Sequence, residues 1–161
     1  MSRLIPATFM LFALVSANAS DSGEATVKGS AFAINQGISG AWLNPQTPGQ
    51  GFLIDVEPEG QFIFIAWFTY EALDSKVGAP EHRWLTAQGN YAGDTAEIPI
   101  SVTSGGAFDS NQATETVESG MLTISFQDCT RGTVSYSLDE GLSNEFEIER
   151  LLTTEALCES L

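Results

Sequence analysis

The chain has 161 residues, 43% of them hydrophobic and 10% aromatic, which suits one folded domain and argues against a fully disordered chain. Six basic residues stand against 21 acidic ones, for a formal net charge of −15. With no basic stripe to neutralise phosphates, nucleic acid is not an expected partner, and an anionic membrane surface is disfavoured.

Residues 1–19 read as a secretory signal peptide: Arg3 forms a short positive region, Leu4 to Val15 is mostly apolar, and Ala17-Asn18-Ala19 is an A-x-A cleavage site. The apolar run is too short to span a bilayer comfortably, and no later run is long enough, so no membrane insertion is expected. The chain is expected to be secreted or periplasmic. Cys129 and Cys158 fit that setting as one disulfide. A metal or redox role is disfavoured, because there is no C-x-x-C and the single His is distant in sequence.

Residues 20–36 are small and polar and read as a flexible N-terminal segment, leaving 37–161 as a single β domain. From Gly37 the pattern has period two, with frequent turn signals. Strands are expected at Gly40–Asn44, Gly51–Glu57, Gln61–Tyr70, His82–Gly89, Thr95–Thr103, Gly120–Gln127, Thr133–Leu138 and Asn144–Leu152. Phe52, Ile54 and Val56 share one face, as do Ile98, Ile100 and Val102, then Leu122, Ile124 and Phe126, and finally Phe146, Ile148, Arg150 and Leu152. Pro99 hints at an edge or bulge. Ser104–Val117 reads as a Gly-rich polar loop.

The third strand is apolar on both faces. Phe62, Phe64, Ala66, Phe68 and Tyr70 are expected inside, which would leave Ile63, Ile65 and Trp67 outside and in need of a cover. The C-terminal tail, pinned by Cys158 and carrying Leu157 and Leu161, is the favoured cover; the segment around Ala31–Ile38 or a second subunit are the alternatives.

Eight sequential strands with mostly short links suggest an all-β, eight-stranded antiparallel up-and-down barrel, since closure removes the exposed edges. A two-sheet sandwich is the alternative. Nucleophilic triads, zinc sites and phosphate cradles lack their residues: His82 is the single His, and no Gly-rich loop opens a helix. Glu145, Glu147 and Glu149 alternate on the face opposite Phe146 and Ile148 and read as barrel exterior. No cofactor is expected. His82-Arg83-Trp84 is the most distinctive polar group. If Trp84 points inward, so does His82, near the barrel mouth and Tyr70, with Arg83 outside. His82 and Trp84 are then either ligand-orienting groups or a loop anchor and a core Trp.

Gly40-Ala41-Trp42 on the first strand and Arg150 on the last resemble the calycin signature of lipocalins and avidin-like proteins. The resemblance implies a basic side chain packed over the Trp at one barrel end, a structural role for Trp42 and Arg150. Gly40-Ala41-Trp42-Leu43-Asn44 also resembles the opening strand of avidins, which implies ligand contacts from Asn44 and Gln50. The favoured alternative for Asn44 is an Asx turn before Pro45.

A broader resemblance spans residues 38–161. Trp42-Leu43-Asn44-Pro45, Pro48-Gly49-Gln50-Gly51-Phe52, Trp67-Phe68-Thr69-Tyr70, His82-Arg83-Trp84-Leu85-Thr86-Ala87-Gln88-Gly89, Gly105-Gly106-Ala107-Phe108-Asp109, Asp128-Cys129, Glu149-Arg150 and Leu157-Cys158-Glu159 resemble a family of secreted bacterial proteins of unknown function. Thr153-Thr154-Glu155 departs from it where related sequences tend to read Asp-Asn. The resemblance implies no activity.

The leading expectation is a non-enzymatic binding module holding a small, partly apolar ligand at the mouth through Asn44, Gln50, Tyr70, His82 and Trp84. A protein-interaction or inhibitor module is the second reading and an enzyme with a dry cavity the least favoured. The partner is an unspecified small molecule or protein, and the chain a monomer or homodimer.

Overall fold

Most strands of the barrel set an apolar inner row against a more polar outer one. A computed structural model describes residues 32–71, 82–152 and 158. The strands are β1 (Gly40–Leu43), β2 (Gly51–Glu57), β3 (Phe62–Tyr70), β4 (His82–Ala92), β5 (Thr95–Gly105), β6 (Thr114–Phe126), β7 (Arg131–Leu138) and β8 (Ser143–Arg150). They form a closed barrel in sequence order, every neighbour antiparallel. The seam is short: Trp42↔Arg150 and Leu43↔Glu149 are its register pairs.

The core is the inner row. Phe52, Ile54 and Val56 of β2 meet Ile98 and Ile100 of β5, Leu122, Ile124 and Phe126 of β6, Val134 of β7 and Ile148 of β8, all buried. Gly89 also faces inward; a Cβ there would meet Ile98 Cγ2 at 2.7 Å, so the glycine makes room for the isoleucine.

The third strand is reversed from expectation. Ile63, Ile65 and Trp67 point into the barrel and are buried, whereas Phe62, Phe64, Phe68 and Tyr70 are exposed. The cause is hairpin register. Val56 pairs with Ile63, Ile54 with Ile65 and Phe52 with Trp67. Directly opposed residues in an antiparallel ladder share a face, so the inward row of β2 dictates that of β3. The three side chains therefore need no external cover. Leu157 and Leu161, expected to supply one, lie outside the described residues.

Other differences are local. The β5–β6 hairpin is longer than expected, with Thr114–Ser119 paired or extended rather than looped. The β4–β5 ladder lapses between Ala87↔Ile100 and Tyr91↔Ala96, where Pro99 lacks the N–H that a ladder needs. A register shift in β5–β6 follows at Ile100/Ser101. Leu152 lies beyond β8 and is exposed.

One barrel end is closed. A 3-10 turn, Gln36–Ile38, is capped by Asn35, whose Oδ1 accepts the Gly37 N–H at 2.8 Å. Ile34, at the end of the segment read as loose, is buried and its N–H donates to the Gly93 carbonyl at 2.8 Å. Residues 1–31, including the expected signal peptide, lie outside the described residues. Cys129 and Cys158 form a disulfide with Cα atoms 5.8 Å apart. Cys158 rests on Gly37 so closely that a Cβ at residue 37 would collide with its backbone.

Candidate functional site

The opposite end of the barrel is open. Where β1 leaves for β2, and around the starts of β4 and β8, the inner row changes from aliphatic to aromatic and then to polar. The result is a cavity of about 120 Å³. Phe52, Trp67, Tyr136 and Phe146 form its floor. The Phe52 and Trp67 rings stack with centroids 5.4 Å apart, and Tyr136 meets Trp67 edge-on at 4.9 Å. Burial, then the charge of Glu140, pushes the Tyr136 phenol up. The phenol therefore stays neutral near pH 7 and keeps its O–H as a donor.

Polar side chains line the rim. Asn44, 7% exposed, is the buried polar residue among the described ones. Its Oδ1 accepts the Gln46 N–H at 2.8 Å, the Asx turn expected before Pro45. The same side chain lines the cavity, so the turn and a ligand contact are compatible. Among the described residues its Nδ2 has no hydrogen-bond partner. Gln50 Oε1 accepts from Thr69 Oγ1 at 2.6 Å, leaving the Gln50 amide NH₂ for other contacts. Tyr70 reaches the rim from the end of β3.

Arg83 occupies the place expected for its neighbours. It lines the cavity, its side chain 14% exposed, and Nη1 donates to Glu140 Oε1 at 2.6 Å, with Glu71 Oε2 at 3.7 Å. His82 and Trp84 instead point outward and are exposed. The structure thus corrects the inward placement of both and brings Asn44, Gln50 and Tyr70 together without them. His82 lies beside Tyr70, ring centroids 5.3 Å apart, outside the cavity. The reason is the register Trp67↔Leu85, which turns Arg83, Leu85 and Ala87 inward. A sequence signal existed: Thr86, Gln88 and Asn90 share the row of His82 and Trp84, and that polarity marks an outer face. Asn144 and Tyr136, missed from sequence, reach the cavity through the same alternation on β8 and β7.

The closed end carries a second polar cluster. Arg150 donates from Nη1 to the carbonyls of Gly37 (2.6 Å) and Cys129 (3.2 Å), from Nη2 to Ser39 (2.7 Å) and from Nε to Leu152 (3.1 Å). Its guanidinium carbon lies 5.4 Å from the Trp42 ring centroid. Trp42 is buried and donates from Nε1 to the Ile38 carbonyl at 3.0 Å. Arg150 itself is only partly buried, and that burial lowers its pKa. These bonds lock the 3-10 turn, the disulfide turn and β8 together.

Among the described residues no group of three or more His, Cys, Asp or Glu is placed to hold a metal ion. No described helix is long and apolar enough to cross a membrane. Comparison with family models, curated proteins and solved structures finds no match to this chain.

Proposed function

We propose that the protein is a secreted or periplasmic, non-enzymatic binding module that holds a small, partly apolar ligand at the open barrel mouth. The observation that carries this reading is the cavity itself: a four-ring aromatic floor beneath convergent polar groups from Asn44, Gln50, Thr69, Arg83 and Asn144. Binding sites combine an apolar lining with a few placed polar groups in this way. At about 120 Å³ the cavity suits one planar ring or a short chain, with any remainder of the ligand in solvent. Arg83 is already held by Glu140 and approached by Glu71, so a neutral ligand with both acceptor and donor groups fits better than a strong anion.

The disulfide and the expected signal peptide support the export reading. The likeness of Gly40-Ala41-Trp42 and Arg150 to the calycin signature supports a binding role at the barrel end away from that pair, and that of the wider motif set to secreted bacterial proteins supports export. The second reading, a protein-interaction module, draws on Phe108, fully exposed in the β5–β6 loop.

Titration of Trp67 fluorescence with a panel of single-ring amides and alcohols tests the proposal. Saturable binding is expected in wild type and loss of it in Thr69→Phe, which fills the mouth. No saturation by any compound, or equal binding in Thr69→Phe, would overturn it.

A further inference from the structure

The reversal of β3 leaves an aromatic surface on the outside of the barrel. Phe62, Phe64, Phe68 and Tyr70 run along β3, with Trp84 opposite Phe68 on β4 and Leu53 on β2. They are 38–54% exposed. Outer rows of a solvated antiparallel sheet are normally polar, and of these side chains the mouth reading uses Tyr70 alone.

We infer that this face is the interface of a homodimer, covered by the same face of a second copy. Two observations select a second copy over other occupants. The first is charge. The chain carries a formal −15, yet every outward position of β3 and β4, from Phe62↔Asn90 to Tyr70↔His82, is uncharged with His neutral, and carboxylates border the face at its β2 margin, where Asp55 and Glu57 stand opposite Phe64 and Phe62. A cationic partner would be drawn to the acidic surfaces elsewhere, such as the Glu145, Glu147 and Glu149 row. Two like-charged chains meet at least cost across the β3–β4 rows, which carry no charge, with Asp55 and Glu57 kept at the margin. The second is area. Aromatic side chains carry ~150–250 Å² each, so the exposed fractions leave on the order of 500 Å² of apolar surface per chain. Two such faces together reach roughly the 1,000 Å² that a specific interface needs. A twofold axis through the Ala66–Thr86 region sets the Phe68–Trp84 end of one copy over the Phe64–Gln88 region of the other, a self-complementary contact.

The dimer does not depend on the mouth binding a ligand. Sedimentation velocity of the full chain across a concentration series, at low and high salt, tests it. A monomer–dimer equilibrium is expected that shifts toward dimer as salt screens the repulsion between the two acidic chains. Trp84→Glu and Phe64→Glu should each raise the dissociation constant at least ~10-fold. Circular dichroism and thermal midpoint should stay near wild type, because both side chains lie outside the core. Gln88→Glu, a milder charge on the same face, should act in the same direction and serves if either aromatic variant fails to fold. A wild-type chain that stays monomeric throughout overturns the inference, whether another segment of the chain or a foreign partner covers the face. A dimer that weakens with salt, or one unchanged in all three variants, does so equally.

Discussion

Arg150 and Trp42 sit directly opposite each other across the seam that closes the barrel, the guanidinium carbon 5.4 Å from the indole centroid. The pair does two jobs at once. The stack fills the end of a short β1–β8 ladder, and the guanidinium gathers carbonyls from Gly37, Ser39, Cys129 and Leu152.

Arg150→Met keeps much of the packing and removes every one of those hydrogen bonds. It should destabilise the fold by about 2–3 kcal/mol, the range for a broken, partly buried polar network. Arg150→Lys should recover little of this, because an ammonium cannot span carbonyls on separate segments. Urea unfolding of the two variants checks both outcomes.

The disulfide ties the β6–β7 turn to the C-terminal tail over a separation of 29 residues. Its loss should cost roughly 3.5 kcal/mol on the chain-entropy account. Gly37→Ala should impair the same bond without touching a cysteine, since a Cβ there collides with Cys158. Thiol titration of unreduced, denatured protein should find no free thiol in wild type and two in a fraction of Gly37→Ala molecules.

Acid stability should carry an Asp128 signature. Burial pushes this carboxyl up, but hydrogen bonds from Thr130 and Arg131 outweigh it and bring the pKa from 3.8 down to about 2. A carboxylate whose pKa falls on folding stabilises the fold fully above the unfolded value. That contribution fades as the pH drops through the folded one. The stability difference between wild type and Asp128→Asn should therefore be constant above about pH 5 and shrink toward pH 2. Thermal midpoints of the two proteins across that range provide the check.

The orientation of β3 can be tested by one charge on each face. Ile65→Asp buries an unpaired carboxylate in the core and should prevent folding, a loss above about 4 kcal/mol. Phe64→Asp, one residue away and outward, should fold with a midpoint within a few degrees of wild type. Circular dichroism of the two variants separates these outcomes, and the opposite ranking would restore the reversed face.

The barrel was legible because six of its strands have one apolar row and one polar row, and because short turns leave a meander few alternatives. β3 was not, since alternation says nothing when Ile63 and Phe64 are equally apolar. The missing information lay one strand earlier. Glu57↔Phe62 closes the β2–β3 turn, and once Val56 is inside, register carries Ile63 inside with it. Misreading β3 and β4 exchanged Arg83 for His82 and Trp84 in the site. Asn44 and Gln50 were recognisable through the likeness of Gly40-Ala41-Trp42-Leu43-Asn44 to the opening strand of avidins, and both line the cavity. Tyr136 and Asn144 were not, because only barrel closure brings β7 and β8 over the same mouth as β1 and β2.

The mouth as a ligand site is tested most directly by native mass spectrometry of the protein purified from its source. The expected spectrum shows the chain with a bound mass that one or two rings could account for, released on unfolding and missing in Thr69→Phe. A bare chain under the gentlest conditions, identical for wild type and Thr69→Phe, would contradict the proposed function.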